Sequence, residues 1–438
     1  MKVRRESTRI IKPTYEGKPP STKHIIPLSV FDKVTYDCHI AVIYAYRKPS
    51  PTTATLELGL QKALAVYREW AGRLGKNENG EKVIFLNDEG VTFVEATVEN
   101  SLDQVMPLKP SASILNLHPS LKDPEALVQV QVTRFTCGSL VVGFTAHHHV
   151  ADGQSTSNFL VAWGQASQGI DISPIPFHDR TIFSPREPPI FEFDHREVEF
   201  SSKVAKKVSA PIENDIIISN NNNIVVHKVH FTKEFLNKLK LKTSSSSAKP
   251  YTTFVSLLAH LWRSVTKARS LSGFETTGIR ISVNGRGRLT GPRVPNEYFG
   301  NLVLWAFPST KVKELLHQPL PFAAKLIQDA VAKVNNNYFR SFIDFASYKA
   351  EEEGLVTTAQ MDKSILSPNL EVDSWLRFPF YDLDFGTGSP YMFIPTFFPT
   401  EGMMFLVPSF IGDGSIDAFI PLFEDNVATF KQVCYSLD

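Results

Sequence analysis

His147-His148-His149 closes an apolar run over Ser139–Ala146, and Asp152-Gly153 follows within a turn. Neighbouring residues of a strand face opposite sides. His148 therefore points one way while His147 and His149 point the other, and three consecutive imidazoles do not converge on one metal. A zinc site also wants further Cys or His at helical or turn spacing; none is adjacent, so no metal is expected. A single imidazole aimed into a cleft suits general-base work, because it accepts and returns a proton near neutral pH. The Asp152 carboxylate is close enough to orient that ring or to hold the turn together. Spacing alone leaves open a core histidine that merely caps a turn.

The elements that would carry these residues can be read from periodicity. His39–Tyr46 is β-branched and aromatic, Leu56, Leu60, Leu64 and Tyr67 share a helical face, and Ala71–Gly75 ends that helix. Strands are expected at Lys82–Leu86, Val91–Ala96, Leu127–Phe135 and Ser139–Ala146, with a helix from about Ser155. A proline-rich stretch from Pro174, a Lys/Ser-rich stretch and Asn220–Asn223 read as a surface crossover. Beyond it the pattern restarts: a strand over Ile224–Phe231, a long helix over Thr252–Arg269, strands at Ile279–Val283 and Gly300–Phe307, and a helix-rich stretch over Ala323–Phe345. Phe144–Gly153 has an echo in Phe405–Gly414, with Phe, Asp and Gly in step and Ser409 where His148 stands. This suggests two halves of similar topology.

Composition removes several classes of function. The 438 residues include 46 Lys plus Arg against 45 Asp plus Glu. That balance gives no basic surface for a nucleic-acid backbone. No apolar run approaches the ~18 residues of a membrane span, and the charged start Met1–Ser7 does not resemble a secretory signal. Three scattered cysteines (Cys38, Cys137, Cys434) make no disulfide or zinc framework and suit a reducing cytoplasm. The 32 phenylalanines fit either a packed interior or an aromatic ligand site.

The motifs carry more. His148–Gly153 resembles the HxxxDG motif of the plant BAHD acyltransferases, and Asp384-Phe385-Gly386-Thr387-Gly388 resembles their DFGWG signature. Leu28–Asp32, Ala71–Leu74, Ala259–Arg263, Asn284–Arg288 and Tyr298–Asn301 are similar to further family segments, in order along nearly the whole chain. The resemblance implies an α/β fold like that of chloramphenicol acetyltransferase. It has two similar domains, each a mixed sheet flanked by helices, with a channel for acyl-CoA and acceptor. In this numbering the N-terminal domain would span 1–190, completed by a hairpin near 386–411. A crossover would follow over 191–223, and then the C-terminal domain over 224–438. The resemblance further implies a monomer that uses no cofactor, CoA thioester being a substrate. His148 would be the general base in direct attack on the thioester, without an acyl-enzyme. Asp152 would be structural, not a charge relay. Asp384 would be the signature carboxylate, pairing with an arginine of Asn284–Arg288 or purely architectural.

Two departures bear on the acceptor. Thr387 replaces the signature tryptophan, which should reshape the site near the acceptor. Ser367–Trp375 resembles the CPNLGITSW segment of the shikimate and quinate acyltransferases, but carries Glu371 and Asp373. In a strand these two share a face. Paired carboxylates repel an acid and give a cation charge-assisted hydrogen bonds on the order of 1.5–3 kcal/mol each. A local Lys or Arg could instead absorb them. The segment also resembles the family's agmatine and putrescine hydroxycinnamoyltransferases. The expected reaction is therefore hydroxycinnamoyl transfer from CoA to a cationic aliphatic amine, giving a phenolamide. O-acylation, acylation of tyramine or tryptamine, and a non-catalytic scaffold are the alternatives. CoA phosphates would lie near Lys249, Thr252 and Thr253 at a helix N-terminus, and near Arg288; Thr252 serves equally as a helix cap.

Overall fold

The structure is a computed structural model and describes residues 1–122, 124–202, 223–245, 247–360 and 364–437. Chain contacts divide it into two units: Met1–Ser184 with Pro292–Leu302 and Arg377–Phe397, and Pro185–Gly291 with Val303–Leu376 and Phe398–Asp438. Residues 191–202 of the expected crossover belong to the second unit, while 203–222 lie outside the described residues.

The first unit is built on a six-stranded mixed sheet in the order Val3–Ile11, Val91–Val98, Val128–Phe135, Leu140–His147, His39–Tyr46 and Met392–Pro395. Only Val91–Val98 and Val128–Phe135 run parallel. The central strands are apolar on both faces, as a sheet covered on both sides must be: Val141, Val142, Ile43 and Tyr44 are all fully buried. The Arg73–Lys76 strand begins where a helix end was expected, because the helix stops at Val66 and one 3₁₀ turn intervenes. An aromatic cluster (Tyr67, Trp70, Phe159, Phe299) packs with ring centroids 5.1–6.3 Å apart, mostly edge to face. Phe299 thereby ties the returning 292–302 segment to this core. Of the expected hairpin, Met392–Pro395 joins this sheet, but Met403–Pro408 does not. The latter pairs with Leu370–Ser374 and Ile416–Phe423 in the second unit.

The second unit has a seven-stranded sheet: Ile224–Phe231, Ile416–Phe423, Met403–Pro408, Leu370–Ser374, Thr276–Asn284 and Val303–Ala306, with Ser309–Lys311 also paired to Thr276–Asn284. The helix Thr253–Ala268 presents Leu257, Leu258, Leu261, Trp262 and Val265 to the interior, all fully buried. Each unit is thus a mixed sheet with helices, as the sequence suggested. The internal echo is limited to a strand and its turn. After Gly153 the chain enters a helix, whereas after Gly414 it enters the Ile416–Phe423 strand. The expected strand Gly300–Phe307 is also shorter, at Val303–Ala306.

Gly164, on the helix Gly153–Ser167, lets the main chain of Asp384 approach: a Cβ there would lie 2.6 Å from the Asp384 carbonyl oxygen. Backbone cannot yield as a flexible side chain does. Gly164→Ala is expected to lower unfolding stability by about 1–3 kcal/mol, despite alanine's better helix propensity; urea denaturation of the two proteins measures it.

Candidate active site

The chain turns sharply after the Leu140–His147 strand, and the three imidazoles part company as alternation requires. His148 Nδ1 lies 3.2 Å from Asn301 Oδ1 and 3.2 Å from Thr35 Oγ1. The Asn301 amide nitrogen donates to Asp32 Oδ1 and to the His148 carbonyl, each at 2.9 Å. Both of those oxygens only accept, so the amide is oriented with its oxygen toward the ring. Amide oxygen cannot donate; Nδ1 must therefore carry the imidazole proton, and the lone pair sits on Nε2. Burial lowers the basicity of His148, against the pull of its own main chain and of Asp152 and Asn301. The ring is accordingly neutral near neutral pH.

Asp32 is fully buried. Its carboxylate accepts from the Asn301 backbone N–H at 3.0 Å, the Ser29 N–H at 2.9 Å and hydroxyl at 2.8 Å, and Arg180 Nε at 3.0 Å. Arg180 also reaches Glu69 Oε1 at 3.2 Å and the Val150 carbonyl at 2.9 Å, and His178 meets the same Glu69 oxygen at 2.8 Å. Burial opposes the Arg180 charge, but Asp32, with Tyr298 and Glu69 behind it, outweighs burial and raises its pKa.

Asp152 caps the helix Gly153–Ser167 by accepting from the Ser155 N–H at 2.9 Å; its other oxygen accepts from the Leu302 N–H at 3.0 Å. Ser155 Oγ donates to the Tyr298 and Gly300 carbonyls at 3.0 and 2.9 Å. Asp152 thus has a positioning geometry: it joins the turn carrying His148 to the segment carrying Asn301. Asp384 caps its own turn, accepting from the Gly386, Thr387 and Gly388 N–H groups at 2.8–3.0 Å. That turn packs at Gly164 and Gln168, more than three helical turns, or about 18 Å, along the helix from Asp152. Thr387 is therefore not beside His148.

The acidic pair belongs to the second unit. Glu371 and Asp373 share a face of the Leu370–Ser374 strand, Glu371 buried and Asp373 partly so. Arg280, in register with Glu371 on the adjacent parallel strand, puts Nη1 3.7 Å from Glu371 Oε2 and stacks its guanidinium 3.9 Å from the Trp305 ring centre. Ser282 donates to Asp373. Burial first, and then Glu371, pushes Asp373 up to about 6, against Ser282 and Arg280. Asp373 is thereby held closer to its neutral form than an ordinary carboxylate.

Thr252 caps the helix Thr253–Ala268 by accepting from Val255 N–H at 3.1 Å, and Lys249 and Thr252 are exposed beside that N-terminus. Arg288 Nη1 donates to the Val331 and Val334 carbonyls, both at 2.7 Å, at the end of the helix Leu320–Lys333. On the outer side of the catalytic turn, His147 Nε2 and His149 Nδ1 lie 3.5 and 3.2 Å from the same oxygen of Asp37. Burial pushes His147 down to about 3 and His149 to about 4, so both rings are neutral. The alternation separated these two from His148 correctly but showed no further ligand; Asp37 lies about 110 residues earlier in the chain, beside the paired His39–Tyr46 strand, and gave no local signal.

A family model described as "Transferase family" matches residues 1–437. The chain belongs to the BAHD acyltransferase family. It is 51% identical over 445 residues to agmatine coumaroyltransferase-1 of Hordeum vulgare, covering 100% of both chains. It is 49% identical over 444 residues to putrescine hydroxycinnamoyltransferase 3 of Oryza sativa subsp. japonica, again covering 100% of both. Among solved structures, vinorine synthase superposes with a TM-score of 0.71 at 22% identity, over 98% of this chain and 96% of that one. As a BAHD protein, the chain has its HxxxDG histidine placed by Asn301, which Asp32 holds in turn, both from segments already similar to family motifs in sequence. What sequence did not disclose was their connection.

Asn301→Ala would leave Nδ1 with Thr35 alone and Asp32 one donor short. The expected result is a fall in kcat of about 10–10²-fold with little change in KM, measured by steady-state acyl transfer; Asn301→Asp, which lacks the amide donor, should not restore it.

Proposed function

We propose that this protein transfers a hydroxycinnamoyl group from its CoA thioester to a primary amine of agmatine or putrescine. The observation that carries the choice of acceptor is Asp373. It is an incompletely neutralised acid beside Glu371, where a second positive group of the acceptor gains a charge-assisted hydrogen bond. The names of relatives at 49–51% identity point the same way.

In the proposed reaction, the acceptor's neutral amine attacks the thioester carbonyl and His148 Nε2 takes the N–H proton. The carbonyl electrons move onto oxygen, giving a tetrahedral oxyanion. Its collapse re-forms the carbonyl, breaks the C–S bond and expels CoA thiolate, to which the imidazolium returns the proton. A thiol of pKa roughly 8.5 leaves far more readily than an amide ion, so collapse runs forward. Atoms and charge balance with no cofactor. Both substrates are held at once, so positioning supplies much of the rate. The N-terminus of the helix Thr253–Ala268, with Thr252, Thr253 and Lys249, is the proposed anchor for CoA phosphate. Arg288 contributes there only through nitrogens other than Nη1. No helix among the described residues is long and apolar enough to cross a membrane. All three cysteines are free thiols, which supports a cytoplasmic setting; a monomer is the proposed active form.

Turnover of agmatine, putrescine, tyramine, tryptamine and shikimate with coumaroyl-CoA tests the proposal: the two aliphatic cations should lead, and a lead by shikimate would overturn it. His148→Ala should lower kcat by about 10²–10⁴-fold. Asp373→Asn should raise KM for agmatine and spare a neutral amine. Because Asp373 titrates at about 6, ionised above and protonated below, the wild-type KM for agmatine should rise as pH falls through 6. That rise should be absent in Asp373→Asn.

A further inference from the structure

The catalytic turn has a second face. Alternation along Leu140–His147 and its turn directs His147 and His149 away from Asn301, toward Asp37 in the loop before the His39–Tyr46 strand. Ligand atoms of Asp37, His147 and His149 all lie within 4.8 Å of one another. A tetrahedral ion with arms of ~2.0–2.1 Å has ligand-to-ligand edges of about 3.3 Å. The observed separations from Asp37 Oδ1, 3.5 Å to His147 Nε2 and 3.2 Å to His149 Nδ1, are close to such edges. His149 is 1% exposed, and neither of its ring nitrogens has a hydrogen-bond partner. A buried imidazole with neither nitrogen hydrogen-bonded, and Nδ1 facing a carboxylate oxygen at 3.2 Å, is uncommon, since buried polar groups are ordinarily paired. An ion on Nδ1 would use the idle lone pair.

We propose that Asp37, His147 and His149 form a three-ligand site for a divalent transition ion of the zinc class. Nitrogen and carboxylate donors select that class over magnesium or calcium, which take all-oxygen cages. Asp37 is exposed, so the fourth position opens to water. Two local features set the affinity. Lys82 pairs with Asp37 through Oδ2, which leaves Oδ1 to face the imidazoles but places a competing cation beside the ion. His147 Nδ1 accepts from the His149 backbone N–H at 3.2 Å. Binding through Nε2 moves the ring proton to Nδ1, and that contact is given up. The general base is not a ligand: His148 lies between the two ligating residues, with its Nδ1 committed to Thr35 and Asn301. The ion would clamp the turn from outside and take no part in acyl transfer.

The full chain is titrated with zinc chloride against a chromophoric chelator, and with cobalt chloride for its absorption spectrum. One zinc per chain is expected, with a cobalt spectrum lacking thiolate charge-transfer bands, since Cys38 lies next to Asp37 in sequence. Asp37→Asn combined with His147→Gln, folding checked by circular dichroism, should weaken zinc by more than the about 10–100-fold that follows loss of an outer-shell partner. Lys82→Ala should tighten it. The proposal is overturned if the wild-type chain takes up no zinc at micromolar concentration, if the folded double variant binds equally well, or if cobalt shows thiolate bands.

Discussion

One buried carboxylate organises the first unit. Asp32 has no solvent exposure and meets five donors: two from Ser29, two from Asn301 and one from Arg180. An ionised group without water survives only if its acceptor sites are filled, and removing one partner of such a pair typically costs about 3–5 kcal/mol. The energetic demand is therefore also a geometric one. Asn301 must be where Asp32 needs its amide, and its oxygen then faces the ring of His148. The tautomer of His148 follows from the solvation of a buried acid that its ring does not contact by hydrogen bond.

The second unit uses charge differently. Arg280 Nη1 lies 3.7 Å from Glu371, and the guanidinium rests on Trp305. The local field left over belongs mainly to Asp373, whose burial keeps it near the boundary between acid and carboxylate at mildly acidic pH. An acid fully salt-bridged would have nothing left to offer a ligand.

Legibility from sequence divides along physical lines. The opposite facing of His148 and its neighbours was readable because a strand's period of two admits no other arrangement. The shared face of Glu371 and Asp373 was readable for the same reason. Asp32 and Asn301 stood in recognisable segments, yet their contact spans 269 residues and has no local signature. Arg180 lay in a proline-rich stretch read only as crossover. Arg280 was invisible as a counter-ion to Glu371 because parallel strand adjacency is a tertiary fact. Thr387 was linked to the acceptor by motif alone; its turn packs at the Gly164–Gln168 end of the Gly153–Ser167 helix, a placement with no local signal. The echo between the halves reflected a common strand-and-turn chemistry, not a repeated order of elements.

The interleaving of the two units has a consequence for biosynthesis. The first unit needs residues 292–302 to complete the surroundings of its base and 377–397 to supply its edge strand. Domains ordinarily fold in order as the polypeptide leaves the ribosome. Here the opening 184 residues must wait, partly assembled, until nearly the whole chain has emerged. An exposed strand edge at His39–Tyr46 during that interval is a template for mispairing, so translation speed and chaperone access bear on yield of active protein as directly as final stability does.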